Sequence, residues 1–97
     1  MSYEPNIGLA RQISRALREA GFKVTRSMSE STMTVRSGDG GAIVVECMKE
    51  HTHGYDVALW RPPEGLERGG RSDAKASQHL LRTLAKLFKE NGLHTDT

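Results

Sequence analysis

The sequence predicts an α+β fold with two layers, in which two helices pack on one face of a four-stranded antiparallel sheet. Two segments with apolar residues at helical spacing each end on a glycine followed by a large apolar residue, which is a common helix stop. Between these segments apolar residues alternate with polar ones, as they do in strands. A chain of 97 residues is long enough for one such core. We therefore expect a single domain over residues 1–97 with the order α-β-β-β-β-α.

The first helix is predicted over residues 6–20. Its apolar face consists of Leu9, Ile13, Ala16, Leu17 and Ala20. Gly21 stands where a left-handed residue follows a helix, and Phe22 comes next, within reach of Leu17. We therefore expect the helix to end at the Gly21-Phe22 step.

Four short strands are predicted after this helix, over residues 23–28, 32–36, 42–48 and 55–60. The Asp39-Gly40 pair lies between the second and third strands, and this dipeptide is favoured in tight hairpins. The other connections are short enough for consecutive strands to pair. The expected sheet is therefore an antiparallel meander.

The second helix is predicted over residues 73–91, after a crossover of sequence RPPEGLERGGRS. Pro62 and Pro63 end the fourth strand because proline cannot donate to a strand ladder. Ser72 or Asp73 is a suitable N-cap. The apolar face of the helix consists of Ala76, Leu80, Leu81, Leu84, Leu87 and Phe88. The helix is expected to stop at Gly92 and Leu93, and the tail LHTDT is expected to fray.

Composition and targeting signals favour a cytoplasmic protein without a membrane partner. The chain has no apolar run near the roughly 20 residues of a membrane span, and its N-terminal residues do not resemble a secretion signal. Cys47 is the only cysteine, so an internal disulfide is excluded, which fits a reducing compartment. The excess of arginine over lysine, nine to five, is typical of a GC-rich bacterial or phage source.

The charges are expected to segregate, although the net charge is only +2. Basic residues recur at helical spacing opposite the apolar face of each helix, and two more precede the second helix. They are Arg11, Arg15, Arg18, Arg68, Arg71, Lys75, Arg82, Lys86 and Lys89. A basic face of this kind follows a phosphate backbone. The alternative is that these charges only keep the helices solvated.

The stretch GGRSDAKASQ, residues 69–78, does not have the spacing of a nucleotide-binding loop. We interpret it as a flexible loop. A phosphate contact at the N-terminus of the second helix is the less favoured alternative, because Asp73 itself caps that terminus. No cofactor is expected.

Catalytic and metal sites are not expected either. His51 and His53 lie near Cys47 in the sequence, but a structural zinc needs four well-placed ligands and the chain has no second cluster. Cys47 alternates with Ile43 and Val45, which favours a buried apolar role. No arrangement typical of nucleophilic or acid–base catalysis is present. We therefore expect a protein that is not an enzyme.

The segment LARQISRALREAGFKVTRSMSESTMTVRSGDGGAIVVECM, residues 9–48, and the closing LAKLFKENGL resemble the double-stranded RNA-binding fold, and within it HicA-type mRNA interferase toxins. The shared features are a helix that ends in Gly-Phe, an arginine in the first strand, a hairpin at Asp-Gly and a last helix that ends near Gly-Leu. The resemblance implies structured RNA as the partner.

The sequence also departs from that family. The family's Gly-Ser-His step, which supplies a catalytic histidine, is replaced by Ser29, Glu30 and Ser31. Glu30 also adds negative charge where RNA would approach. The chain has a further strand, YDVALW, and retains only Lys75 of the basic entry to the last helix. The resemblance therefore implies binding without the family's catalysis.

Two functional hypotheses follow. The first is a non-catalytic module that binds structured nucleic acid through the basic face of both helices, with RNA favoured and DNA as the alternative. The second is a protein-interaction module, dimeric or inhibitory, that uses the open face of the sheet around Thr34, Val44, Met48 and Trp60. Trp60 suits either hypothesis, because tryptophan stacks on bases and fills partner pockets.

Overall fold

The computed structural model describes residues 4–27, 29–49, 54–62 and 72–97. It has an α+β fold with two helices and a mixed five-stranded sheet. The elements in chain order are α1 (Ile7–Glu19), β1 (Lys23–Arg26), β2 (Thr32–Arg36), β3 (Ala42–Cys47), β4 (Val57–Trp60), α2 (Ala74–Glu90) and β5 (Thr95–Asp96). The strands lie in the order β1-β2-β3-β4-β5 across the sheet.

The first four strands form the expected antiparallel meander, but the prediction of a purely four-stranded sheet and a frayed tail is wrong. β5 pairs with β4 in parallel. The backbone N–H of His94 donates to Oδ2 of Asp56 (2.8 Å), and the carbonyl of His94 accepts from the N–H of Asp56 (2.7 Å). Leu93 also packs against the core. These contacts hold the last residues beside β4.

Each helix begins directly after an N-cap residue and ends before the glycine that the sequence predicts as its stop. The side chain of Asn6 accepts from the N–H of Leu9 (3.1 Å) at the start of α1, and Asp73 accepts from Ala76 (2.8 Å) at the start of α2. Gly21, with a φ of 97°, follows α1 in the left-handed region. These bonds satisfy backbone groups that the helix itself leaves unpaired.

The two helices share one hydrophobic core with a single face of the sheet. From α1 the core takes Ala10, Ile13 and Leu17, from α2 it takes Leu80, Leu84 and Phe88, and from the strands it takes Met33, Val35, Ile43, Val45, Cys47, Val57 and Leu59. The strand residues alternate along each strand and are in register with one another. Both helices therefore pack on one face of the sheet, as the sequence predicts.

The start of α2 is fixed against the turn between β2 and β3. The buried hydroxyl of Ser77 accepts from the N–H of Ala42 (3.0 Å), and the N–H of Asp73 donates to the carbonyl of Gly40 (2.9 Å). Within the turn, a hydrogen bond from the Ser37 hydroxyl holds the pKa of the Asp39 carboxyl below its usual value. The turn therefore positions the first residues of α2.

Candidate nucleic-acid interface

The basic residues of α1 point away from the core. Arg11, Arg15 and Arg18 are all exposed. At 100° per residue, they project within about 40° of the direction opposite Ile13, which is buried. Their position on the exposed side of α1 agrees with the sequence prediction.

The basic residues of α2 also point away from the core. Lys75, Arg82, Lys86 and Lys89 are exposed and project within about 40° of the direction opposite the buried Leu84. Because both helices pack on the same face of the sheet, their exposed sides form one outer surface. We call this surface, with the seven basic residues of the two helices, the basic helical face.

The helices hold much of the positive charge of the described chain. They carry seven Lys and Arg side chains and two Glu side chains, which amounts to a net charge of +5. The whole sequence has a net charge of only +2. The charge segregation that the sequence predicts is therefore present in the two helices.

Some of these cations have partners that the sequence analysis did not anticipate. Arg15 pairs with Glu19 (3.3 Å) and Lys86 with Glu90 (4.0 Å), both exposed and one helical turn apart. Arg18 donates to the carbonyl of Val24 (3.0 Å). Exposed ion pairs of this type contribute little to the stability of a protein.

Four cations of the basic helical face make no hydrogen bond or ion pair in the described part of the chain. They are Arg11, Lys75, Arg82 and Lys89. Arg68 and Arg71, which were predicted to extend the face, lie outside the described residues.

The N-terminus of α2 is capped by the chain's own carboxylate. Asp73 accepts from the N–H of Ala76 and so occupies one of the donors that a phosphate would use. This cap agrees with the prediction that Asp73 occupies the helix terminus. The unpaired cations, rather than the helix terminus, are therefore the groups of this surface that are available to an anion.

The β1–β2 turn lies far along the sheet from the start of α2. Four strands precede α2, so α2 begins at the end of the sheet with the β2–β3 turn, whereas Glu30 lies at the opposite end, after β1. Glu30 has a φ of 61°, and its carbonyl accepts from the guanidinium of Arg26. Its negative charge is thus separated from Lys75.

The open face of the sheet differs in one residue from the prediction. Thr34, Val44 and Trp60 lie in one row across the sheet, with Trp60 37% exposed and the other two half-buried. Met48 is only 1% exposed, so its assignment to an exposed interface is wrong. Pro5 pairs with Met48 as a continuation of the sheet beyond β2, which places Met48 inside the sheet rather than at its end.

An apolar groove between the helices was not anticipated. It has a volume of about 470 Å³ and is lined by Leu9, Gln12, Ile13, Ala16, Leu17, Ala20, Leu87, Phe88, Asn91 and Leu93. Helical spacing predicts Leu87 on the buried face of α2, but its side chain is 38% exposed. The available signal was the pair of small residues Ala16 and Ala20, which leave space on the side of α1 where Leu87 lies.

Cys47 has the buried apolar role that the sequence predicts. Its side chain is fully buried in the core, and this burial raises the pKa of the thiol to about 12. The thiolate, which is the reactive form, is therefore not populated near neutral pH in the folded protein.

We expect iodoacetamide at pH 8 to alkylate Cys47 only when the protein unfolds. The mass increase of one carbamidomethyl group should follow the unfolding transition in urea, because the chain has one cysteine. Glutathione under the same conditions provides the rate of an accessible thiol. Alkylation of the native protein at that rate would contradict the burial of Cys47.

Within the described residues, no group of three or more His, Cys, Asp and Glu side chains has an arrangement that would hold a metal ion. His51 and His53, the pair weighed as ligands, lie outside these residues. No helix in the described part of the chain is long and apolar enough to cross a membrane.

Comparison with known proteins finds no family model, no curated protein and no solved structure that matches this chain.

Proposed function

We propose that this protein binds structured nucleic acid, RNA in preference to DNA, with phosphates on the basic helical face and without cleavage. The observation that carries the proposal is that the exposed cations of two separate helices lie on one surface, with a net helical charge of +5. A helix surface that only needed to be solvated would mix positively and negatively charged residues more evenly.

The dimensions of α2 fit a duplex backbone. Lys75 and Lys89 are 14 residues apart in the sequence, which is about 21 Å along the helix at 1.5 Å per residue. About six base steps of a B-form DNA duplex have that length at 3.4 Å per step. Lysine and arginine bind phosphates without reading the base sequence, so we expect affinity with little sequence specificity.

The preference for RNA, and for binding rather than cleavage, comes from the resemblance of residues 9–48 to the double-stranded RNA-binding fold. The serine and glutamate residues at positions 29–31 replace the histidine step of the related toxins. Glu30 lies between β1 and β2, whereas α2 packs over β3, β4 and β5. This lateral separation of the acidic side chain from α2 supports the proposal.

Fluorescence anisotropy with labelled duplex RNA, duplex DNA and single-stranded RNA tests the proposal over a range of salt concentrations. If the four unpaired cations each contact a phosphate, the slope of log K against log salt is about −3.6. A rise from 50 to 200 mM salt then weakens binding about 10²-fold. Binding that is independent of salt would contradict the proposal.

The double substitution Arg82→Glu and Lys86→Glu is expected to abolish duplex binding at 100 mM salt and to leave the circular dichroism spectrum unchanged. Both side chains are exposed and neither is part of the core. The neutral single substitution Arg82→Gln should reduce the salt slope by about one unit, as the loss of one phosphate contact does.

The matched control for this variant is Lys23→Glu with Arg61→Glu. Both residues are exposed, lie outside the helices and produce the same change in net charge. The control should retain most of the affinity. Equal loss in the two double variants would show that overall charge, and not the basic helical face, governs binding.

The open sheet face supports a second candidate, a protein-interaction module centred on Trp60. Trp60 is one of two large hydrophobic side chains exposed among the described residues, and its cross-strand neighbour is Val44. Exposed tryptophan beside an apolar residue is typical of interface centres. Under this hypothesis Trp60→Ala disrupts self-association in sedimentation velocity, whereas the Arg82 and Lys86 substitutions are silent.

A further inference from the structure

We propose that the basic helical face binds a duplex through two separate rows of cations, one on each helix, and that each row contacts a different strand. The α1 row consists of Arg11 and Arg18, and the α2 row consists of Lys75, Arg82 and Lys89. This inference rests on the proposed nucleic-acid function and specifies how the ligand is bound. A ligand needs two backbones in order to occupy both rows.

The members of each row are seven residues apart in the sequence. On an α-helix this spacing returns to within about 20° of the same direction and advances about 10 Å along the axis. The cations of a row therefore project in a line from one side of their helix. About three base steps of a B-form DNA duplex have the same length at 3.4 Å per step, so neighbouring cations of a row can contact phosphates of one strand.

The two rows project toward opposite edges of the sheet. Arg18 donates to the carbonyl of Val24 in β1, which is one edge strand. Arg82 and Lys89 line a cleft together with Thr97, which follows β5, the strand at the other edge. The described lining of the apolar groove between the helices includes none of the five row cations. The groove therefore separates the rows.

The distance between the rows is too large for a strand that lies along one of them to contact the other. α1 packs over β1, β2 and β3, and α2 packs over β3, β4 and β5. Neighbouring strands of a sheet lie about 4.8 Å apart, so the two edges of this five-stranded sheet are about 19 Å apart. A duplex has a backbone on either side of each groove and can present one strand to each row.

The ion pairs within the helices support this division. Arg15 pairs with Glu19, and Lys86 pairs with Glu90. By helical position, these two cations project about 50° nearer to the apolar groove than the rows do. The five row cations make no ion pair with another described residue. The positive charge that the helices leave without an acidic partner is therefore concentrated in the two rows.

The test compares a labelled RNA duplex with one of its strands by fluorescence anisotropy at several salt concentrations. The α1-row variant is Arg11→Gln with Arg18→Gln. Since a single strand occupies the α2 row, which has more cations, this variant should leave the affinity for single-stranded RNA unchanged. It should weaken duplex binding at least about fivefold and reduce the salt slope by about one to two units, as the loss of one or two phosphate contacts does.

The α2-row variant is Lys75→Gln with Arg82→Gln, and it should weaken the binding of both RNA ligands. Lys89 is kept because Glu90 lines one cleft with it and Asp96 lines another. These carboxylates make Lys89 the row cation with the least unopposed charge.

The matched control is Arg15→Gln with Lys86→Gln, which removes two exposed cations from the same helices at positions outside the rows. It should change the duplex salt slope less than half as much as the α1-row variant does. Arg18→Gln also removes the hydrogen bond to Val24, so Arg11→Gln alone is measured as well. That single variant should still weaken duplex binding without an effect on the single strand, and circular dichroism checks that each variant is folded.

The two-row arrangement is wrong if the α1-row variant weakens single-strand and duplex binding equally, because both rows would then contact the same strand. It is also wrong if this variant leaves duplex binding unchanged or if the control loses as much affinity. In these cases the unaltered protein still binds RNA in a salt-dependent way, and the proposed function stands. Absence of salt-dependent binding by the unaltered protein would overturn the proposed function and this inference together.

Discussion

Leu84→Ala is expected to lower the free energy of unfolding by about 2–5 kcal/mol, the range for large-to-small changes in a packed core. Leu84 is fully buried and belongs to the cluster that joins both helices to the sheet. Removal of its isopropyl group loses apolar burial and leaves a cavity into which the surroundings relax only partially. Since small domains have a total stability of about 5–15 kcal/mol, the loss is large. Urea denaturation followed by circular dichroism measures it.

Leu87→Ala is the matched control for this prediction. It makes the same chemical change one turn later on α2, at a side chain that is 38% exposed. Less apolar surface is lost and solvent can fill the space, so the expected destabilisation is less than half that of Leu84→Ala. Equal shifts of the two denaturation midpoints would contradict the placement of Leu84 at the centre of the core.

Gly41→Ala is expected to destabilise the protein by about 1–3 kcal/mol, as overpacking does. A Cβ at position 41 would lie 2.7 Å from the carbonyl oxygen of Ala76 and 2.6 Å from the hydroxyl of Ser37. The Ala76 oxygen belongs to the backbone of α2, so it cannot move away without a shift of the helix. Thermal denaturation measures the effect, with urea denaturation as a second measure.

Gly38→Ala, in the same turn, shows whether the destabilisation comes from the contact with α2 or from a need for glycine throughout the turn. A Cβ at Gly38 would have no heavy atom of another residue beyond its chain neighbours within 4 Å, and its φ is not in the left-handed region. The substitution should be neutral, or stabilising by up to about 1 kcal/mol through the unfolded state. If both glycine variants lost the same stability, contact with α2 would not be the reason.

The Gly41 contact also concerns the candidate nucleic-acid interface. The β2–β3 turn holds the start of α2, where Lys75 lies, through Gly41 and the Ser77 hydrogen bond. A shift of α2 would displace its basic residues relative to those of α1. We therefore expect Gly41→Ala to weaken duplex binding more than Gly38→Ala does, under conditions in which both variants are folded.

The local chemistry of the sequence was sufficient to predict the helices and the first four strands. Asn6 and Asp73 each accept a hydrogen bond from the N–H three residues later, and the backbone at the glycines 21 and 92 donates to carbonyls three to five residues earlier. The start and end of each helix are therefore determined by residues close in the sequence. The alternation in residues 32–36 likewise depends only on which face of a strand is apolar. The exposed positions of the helical cations follow from the same periodicity.

Three features depended on contacts between residues distant in the sequence. β5 forms because His94 and Leu93 contact Asp56 and the core, not because TD is a strand-forming sequence. Met48 is almost fully buried, and Pro5 pairs beside it in the sheet. Leu87 is 38% exposed, and no Cα of α1 lies within 8 Å of a Cα of α2. Periodicity identifies the apolar side of an element, but only the tertiary arrangement determines whether another element covers that side.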